Sequence, residues 1–272
     1  MDANPWTWSS LDGYEADVVV FAGDVSNRVG HTMRWLVDLR ERYPHVVWVA
    51  GNHDFYNQGF HETQIYRAGD PPTPHTVTEM VDYYRTQSHA HGIDFLYRQG
   101  VNIQGINFLG ATGWHDYVAG APVSQADQID AWYHTIRDTV IPWQAYDKPH
   151  HSQPVLAGAQ DVQALQTLVD MAMGPAIVVT HHLPHRDLCW QKPHDRVWTA
   201  LHGSFANTRL ESITDPKIRM WIYGHTHQRG MKTINGQQYM CNARGYPGEN
   251  PHWTPVVFDI DESTGAISYS TI

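Results

Sequence analysis

The sequence predicts an α/β fold with α+β character: two packed, mixed β-sheets flanked by helices, a four-layer αββα sandwich. Two observations carry this expectation. The front half alternates strand-like apolar runs with helix-like segments, and a strand–helix–strand order implies parallel pairing through a right-handed crossover. The back half, from residue 231 on, instead meanders through short alternating runs separated by turn signals.

Residues 1–16 are polar and aromatic, without clear periodicity. Asp17 to Ala22 reads as a buried strand ending in Gly23-Asp24. Thr32 to Tyr43 places Met33, Leu36, Val37 and Arg40 at helical spacing and stops before Pro44. Val46 to Ala50 is a second buried strand, closed by Gly51-Asn52-His53-Asp54. Residues 55–74 read as a loop. Thr76 to His89 reads as a helix opened by the capping box Thr76-Val77-Thr78-Glu79. Val101 to Gly113 holds one or two strands. Gly120 to Pro154 is polar-aromatic, with a helical piece around Gln125–Val140. Gln160 to Met173 is amphipathic and stopped by Gly174-Pro175. Ala176 to Thr180 is a buried strand ending in His181-His182, and residues 183–215 form a long loop with at most a short helix. Met220 to Tyr223 is the next strand, ending in Gly224-His225-Thr226-His227. Segments 231–234, 237–242, 255–260 and 266–271 are expected to be successive antiparallel strands, with turns at Asn235-Gly236 and Thr264-Gly265.

Composition bounds the function. Of 272 residues, 42% are hydrophobic, enough for a substantial core, and no Pro/Gly/Ser-rich linker, charge block or internal repeat divides the chain. A single domain over residues 1–272 is expected. No apolar run approaches the roughly 18 residues of a membrane helix, and Met1-Asp2-Ala3-Asn4 opens no signal peptide. Cys189 and Cys241 make no disulfide framework. A cytoplasmic protein without a membrane partner is the expectation. The formal net charge of −10, with only 18 Lys and Arg, suits polyanions poorly, so nucleic acid is not the favoured partner. If the chain handles phosphates, the positive charge must come from elsewhere. The 19 histidines point to bound divalent metal.

The chemistry collects at strand ends. Four buried strands finish in candidate ligands: Asp24, Asn52-His53, His181 and His225/His227. Singly, Asp24 and Asn52 read as turn formers, and His181 or His182 as hydrogen-bonded core histidines. Jointly, oxygen and imidazole donors at the same end of every buried strand point to one site. Such a mixed N/O set suits manganese, iron, zinc or nickel and suits calcium poorly. A carboxylate bridging two such ions, about 3.5–4 Å apart, fits in-line displacement at phosphorus.

Gly23-Asp24, Gly51-Asn52-His53-Asp54, Thr180-His181-His182 and Gly224-His225-Thr226-His227 together resemble the calcineurin-like metallophosphoesterases, in that family's order. Leu109-Gly110-Ala111-Thr112-Gly113-Trp114 and Cys241–Glu249 are similar to a bacterial and phage-type branch of it. The resemblance covers residues 17–250. It implies that Asp24 bridges two divalent ions, with manganese the ion of choice in vitro. Asn52, His181 and His225 would complete one metal site, and His227 would belong to the other. His53 would face the scissile phosphate as general acid or as a donor to the leaving oxygen, with Asp54 orienting its ring. Asp54 as a helix cap is the alternative. Arg28, Arg186 and Arg244 are candidates for phosphate contact, with a surface ion pair as the alternative for each, and His182 is a candidate for a direct role. Loops 55–75, 114–124 and 183–208 would set substrate choice.

One part of the family pattern is absent. A strand ending in Asp-x-His normally precedes the Gly-Asp motif and completes the site of His227. Here Asp2-Ala3-Asn4 has no strand before it. A chain truncated at its N-terminus, with one metal site incomplete and an interior strand missing, is therefore the expectation. The leading functional expectation is hydrolysis of a phosphate mono- or diester by a metal-activated water at a dinuclear site. The alternative is a truncated or degenerate relative that binds one metal through Asp24, Asn52, His181 and His225 without hydrolysing anything. A nuclease is less favoured because no basic patch is present.

Overall fold

The computed structural model describes residues 8–56, 74–144, 149–190 and 195–271. Asp2-Ala3-Asn4 and most of the 55–75 loop lie outside the described residues. One sheet consists of β1 (Val18–Ala22), β2 (His45–Val49) and β3 (Asp94–Phe95) in that order, parallel throughout. Helix α1 (Val29–Arg40) makes the crossover from β1 to β2, and α2 (Val77–Ala90) leads into β3. The capping box at Thr76 forms in both directions with Glu79.

The second sheet has six strands: β4 (Gln99–Ile103), β5 (Ile106–Gly110), β6 (Ala176–Val179), β7 (Ile218–Tyr223), β8 (Arg229–Ile234) and β9 (Gln237–Asn242). Their order is β4-β5-β6-β7-β9-β8. The inner four are parallel, and β4 and β8 run antiparallel on the two edges. The expected run of successive antiparallel strands therefore holds only within hairpins. Burial explains the difference: Tyr239, Met240 and Cys241 are buried, so β9 takes the interior place beside β7, while the exposed β8 with Arg229 and Lys232 forms the edge. Asn235 and Gly236 both sit at positive φ, 51° and 82°, as the two-residue turn between them requires. Strands β10 (Val257–Ile260) and β11 (Ile267–Thr271) pair separately with each other.

Side-chain alternation sorts the core into layers. Val46 and Trp48 of β2 pack with α1 and α2 residues such as Leu36, Leu39, Met80 and Tyr84. Val47 and Val49 face the other way and join Ile177, Val179, Met220 and Ile222 between the sheets. Val178 and Trp221 point outward again, onto Leu165 and Val169 of α4 (Ser152–Met171). Helix, sheet, sheet and helix follow in that order. Among the described residues no helix is long and apolar enough to cross a membrane.

The helices differ from expectation at two places that matter for the site. Helix α4 begins at Ser152 rather than near residue 160. Pro154 is tolerated in its first turn, and Gly158 lets the helix reach the loop after β5, where a Cβ would lie 2.1 Å from the Trp114 carbonyl oxygen. Helix α3 (Gln125–Thr135) ends earlier than residue 140, and a 3-10 turn over Arg137–Val140 follows it. Helix α5 (Arg196–Leu201) is the short helix of the long loop.

Along one edge β1 pairs with β2; among the described residues no strand pairs with its other edge. That edge borders a groove of about 740 Å³ walled by β1, the inner face of the second sheet and residues 255–260. Asp24, His181, His225, His227 and Arg244 line it.

The loop after β5 is pinned by a buried ion pair. Asp161 of α4 accepts from the Gly113 and Trp114 amides, at 2.9 and 3.1 Å, and from Arg98 Nε at 2.6 Å. Its side chain is fully buried. Asp161→Ala is expected to cost about 3–5 kcal/mol by stranding Arg98 and two amides, read by urea denaturation. A loss below 1 kcal/mol would show that the loop holds without it.

Candidate metal centre

Three glycines bring the strand ends together. A Cβ at Gly23 would lie 2.6 Å from the Gly51 amide nitrogen, and one at Gly51 would lie 2.2 Å from Asp24 Oδ1. A Cβ at Gly224 would lie 2.6 Å from the Ala22 carbonyl oxygen. Only glycine permits backbones to approach this closely. Asp24, His225 and His227 adopt the left-handed region at φ 59°, 69° and 55°, an arrangement that surrounding contacts must hold in place.

Asp54 supplies much of that hold. Its carboxylate accepts from the amides of Gly51, Asp24, Val25 and Ser26 and from Thr32 Oγ1, at 2.8–3.1 Å. Burial pushes this carboxyl up, to about 7, and the Asp24 charge adds to that. All five groups present hydrogens to it, so the ionised form is the one the geometry accommodates. Asp54 does not orient His53. The His53 ring rests instead on Tyr56, with centroids 4.3 Å apart, and its Nδ1 is 2.7 Å from Asn27 Oδ1. Burial lowers the His53 pKa, against the pull of Asp24.

Asp24, Asn52, His181 and His225 converge. His181 Nε2 lies 3.3 Å from Asp24 Oδ2, 2.9 Å from Asn52 Oδ1 and 3.1 Å from His225 Nδ1. Asn52 Oδ1 is also 3.2 Å from His225 Nδ1. The other nitrogen of His181 donates to the Ala22 carbonyl at 2.7 Å. In its neutral form His181 therefore turns a lone pair toward a carboxylate and an amide oxygen, neither of which can donate. Acceptors facing acceptors need a cation or a proton between them. Metal-free, the proton answers: burial disfavours charge on His181, but the Asp24 charge and hydrogen bond raise its pKa. Asp24 in turn, despite burial, is held well below the usual carboxylate range by His181 and His53. One ligand atom each from Asp24, His181 and His225 falls within 4.8 Å of the others. The donor set fits a divalent transition metal.

The Asn52 amide is oriented by a residue that no sequence motif marks. Asn52 Nδ2 donates to Asp138 Oδ1 at 2.6 Å, and Tyr56 donates its hydroxyl to the same oxygen at 2.8 Å. Burial raises the Asp138 carboxyl to about 6. Asp138 stands 86 residues from Asn52, so no local pattern announces the pair.

The remaining sequence candidates are spread more widely. His227 is not drawn into the group; its Nδ1 is 2.8 Å from Glu249 Oε2, and its ring meets Tyr246 edge-on. Arg186 pairs with Glu211 at 2.9 Å, the surface ion pair. Arg28 precedes α1, half-buried, and Arg244 lines the groove beside His227. His182 is fully buried, its ring 4.5 Å from that of His225 and 5.4 Å from that of His115.

The model of the calcineurin-like phosphoesterase family matches residues 6–229. The uncharacterized protein L509 of Acanthamoeba polyphaga mimivirus is 21% identical over 245 residues, spanning 88% of this chain and 82% of that protein. Among solved structures, the phosphopantetheinyl hydrolase (PptH) of Mycobacterium tuberculosis shares the fold with a TM-score of 0.68 at 18% identity, covering 91% of this chain and 86% of that one.

Two measurements test the geometry. Gly51→Ala should displace Asp24 and destabilise the chain by more than about 2 kcal/mol, as overpacking of backbone against backbone does; unchanged denaturation would refute the close approach. Burial drives the His115 ring from 6.5 to about 3. Between those values the unfolded chain binds the extra proton, so stability falls as pH drops, by at most about 1.4 kcal/mol per unit for this group. The loss is complete near the folded value. In chelator-treated protein, His115→Phe should show a shallower stability slope from pH 6.5 downward, and an identical slope would exclude His115 as a source.

Proposed function

Because the chain belongs to the calcineurin-like phosphoesterase family, we propose that it hydrolyses a phosphate mono- or diester with the help of two divalent ions. The observation that carries this reading is the convergence of ligand-type oxygen and nitrogen atoms of Asp24, Asn52, His181 and His225 around one point. These four would hold one ion, with Asp24 shared and His227 contributing to the second. When bound, the ions would supply a nucleophilic water at neutral pH and positive charge for the phosphoryl group. That charge is what an acidic chain with net charge −10 otherwise lacks.

The protein's own groups prepare the rest. Asn27 and Tyr56 fix the plane of His53, with its Nδ1 committed to Asn27. His53 Nε2 is then the nitrogen to serve the substrate, as general acid or as a donor to the leaving oxygen. Asp138 and Tyr56 turn the Asn52 oxygen toward the ion. Arg244, on the groove wall, is the candidate for a phosphate contact, with Arg28 a second one; His182 is fully buried and does not line the groove, so it is not a candidate for that role. The domain is taken as one unit over residues 1–272. Both cysteines are free and buried, in keeping with a reducing cytoplasm. Nucleic acid is not the favoured substrate.

One observation favours a second reading. His227 pairs with Glu249 rather than joining Asp24, so the protein would hold a single ion at Asp24 and act as a binding module. Turnover separates the two. With manganese added, an aryl phosphate monoester or diester should be hydrolysed. Asp24→Asn and His225→Asn should lower kcat more than about a hundredfold, beyond the 10–100-fold typical of groups that only support a ligand. His53→Gln should lower kcat by about 10²–10⁴ with metal content unchanged. Manganese binding with no turnover on either ester would favour the module.

A further inference from the structure

A second group of ligand-type side chains lies on the far side of Asn52 from Asp24. His115, Asp138 and His182 are at most 1% exposed. One ligand atom from each lies within 4.8 Å of the other two. None of the three bonds another. Neither nitrogen of His115, neither nitrogen of His182 nor Oδ2 of Asp138 has a hydrogen-bond partner, and the Tyr117 hydroxyl beside them is likewise unpartnered. The Tyr117 and His115 rings are 4.7 Å apart.

A fold rarely carries such a cluster unsatisfied. Each buried polar atom without a partner costs about 1–3 kcal/mol, and unsatisfied groups in native proteins usually mark a missing water or ion. Here six of them gather at one place. Two imidazoles and a carboxylate oxygen are ligands of borderline transition metals, and a His₂-carboxylate set is a familiar one for zinc. His115 is kept neutral by burial, as a ligand must be.

The backbone explains how two such groups coexist. His181 and His182 are consecutive, and their amides both donate to the Thr112 carbonyl at 3.0 Å. Their rings stand 87° apart. His181 turns to Asp24 and Asn52, and His182 lies between His225, at 4.5 Å between ring centroids, and Trp114 and His115, at 5.0 and 5.4 Å. Asp161 pins the loop that carries His115, and the 3-10 turn after α3 delivers Asp138.

We propose that His115, Asp138 and His182 bind a divalent transition-metal ion, with zinc the best match, at a site distinct from Asp24–His181–His225. The proposal does not depend on phosphoesterase activity. Asp138 then joins the two sites: one oxygen on the ion, the other holding Asn52 Nδ2, whose amide oxygen faces the first site. Filling the new site would fix the Asn52 amide and so favour binding at Asp24.

The test is to strip the intact chain with chelator, reload it with zinc and locate zinc by anomalous scattering in crystals. The expected result is a peak bounded by His115, Asp138 and His182, separate from any peak at Asp24. In solution, His115→Phe should lose one zinc equivalent, while Asp24→Asn should leave this one in place. Water-like density without anomalous signal between His115 and His182 would overturn the proposal, as would an unchanged zinc count in His115→Phe. If that variant fails to fold, the wild-type map decides alone. Loss of turnover or of the ion at Asp24 bears only on the proposed function, because the two peaks differ in position.

Discussion

The buried carboxylate of Asp54 is the interaction on which the site depends. It ties the turn after β1 to the turn after β2 through four amides and a hydroxyl. Charge-assisted hydrogen bonds of this kind are the strong ones, and all five donors would otherwise be buried amide or hydroxyl groups needing partners. The turn so held places Asp24 in the left-handed region, where a residue with a side chain does not stay by preference. Asp24 Oδ1 in turn accepts from the His53 amide at 2.9 Å, which locks the second turn to the first.

Around that lock the glycines act by absence. Gly23, Gly51 and Gly224 let three strand ends approach to backbone contact, and the His181 ring fills the remaining space between them. The result is a set of acceptors held close before any ligand arrives. Holding like groups together costs stability, and the charge on His181 raised by Asp24 shows how the metal-free chain meets that cost. A site of this kind exchanges a proton for a metal, so metal affinity should weaken in acid.

Asn52 is the point where two networks meet. Its oxygen belongs to the cluster with His181 and His225, and its nitrogen belongs to Asp138 and Tyr56. Tyr56 also supports His53 from below. A change at Asp138 is therefore felt by the ligand oxygen of Asn52, through one rigid amide, without any movement of the sheets. The same geometry gives meaning to the His181-His182 pair, whose rings stand perpendicular and both lie against His225.

The apolar runs at β2, β6 and β7 were enough to place Asn52, His181 and His225 at one edge, because burial on both faces of a strand leaves a local signature; β1, expected to be buried, placed Asp24 by the same apolar run but is only half-buried, because it borders the groove. The helix capped at Thr76 and the Asn235-Gly236 turn were legible for the same reason: both are local chemistry. Asp138 and Asn27 were not, since they meet their partners across 86 and 26 residues with no periodic or motif trace; Glu249 lay in a recognised stretch, but its pairing with His227 across 22 residues was not legible. Asp54 was visible as a residue, but its task was not, for its five donors are supplied by the tertiary approach of two turns. What a residue is and where its strand stops are written in the sequence; what its side chain faces is decided only when distant strand ends are brought within hydrogen-bond reach.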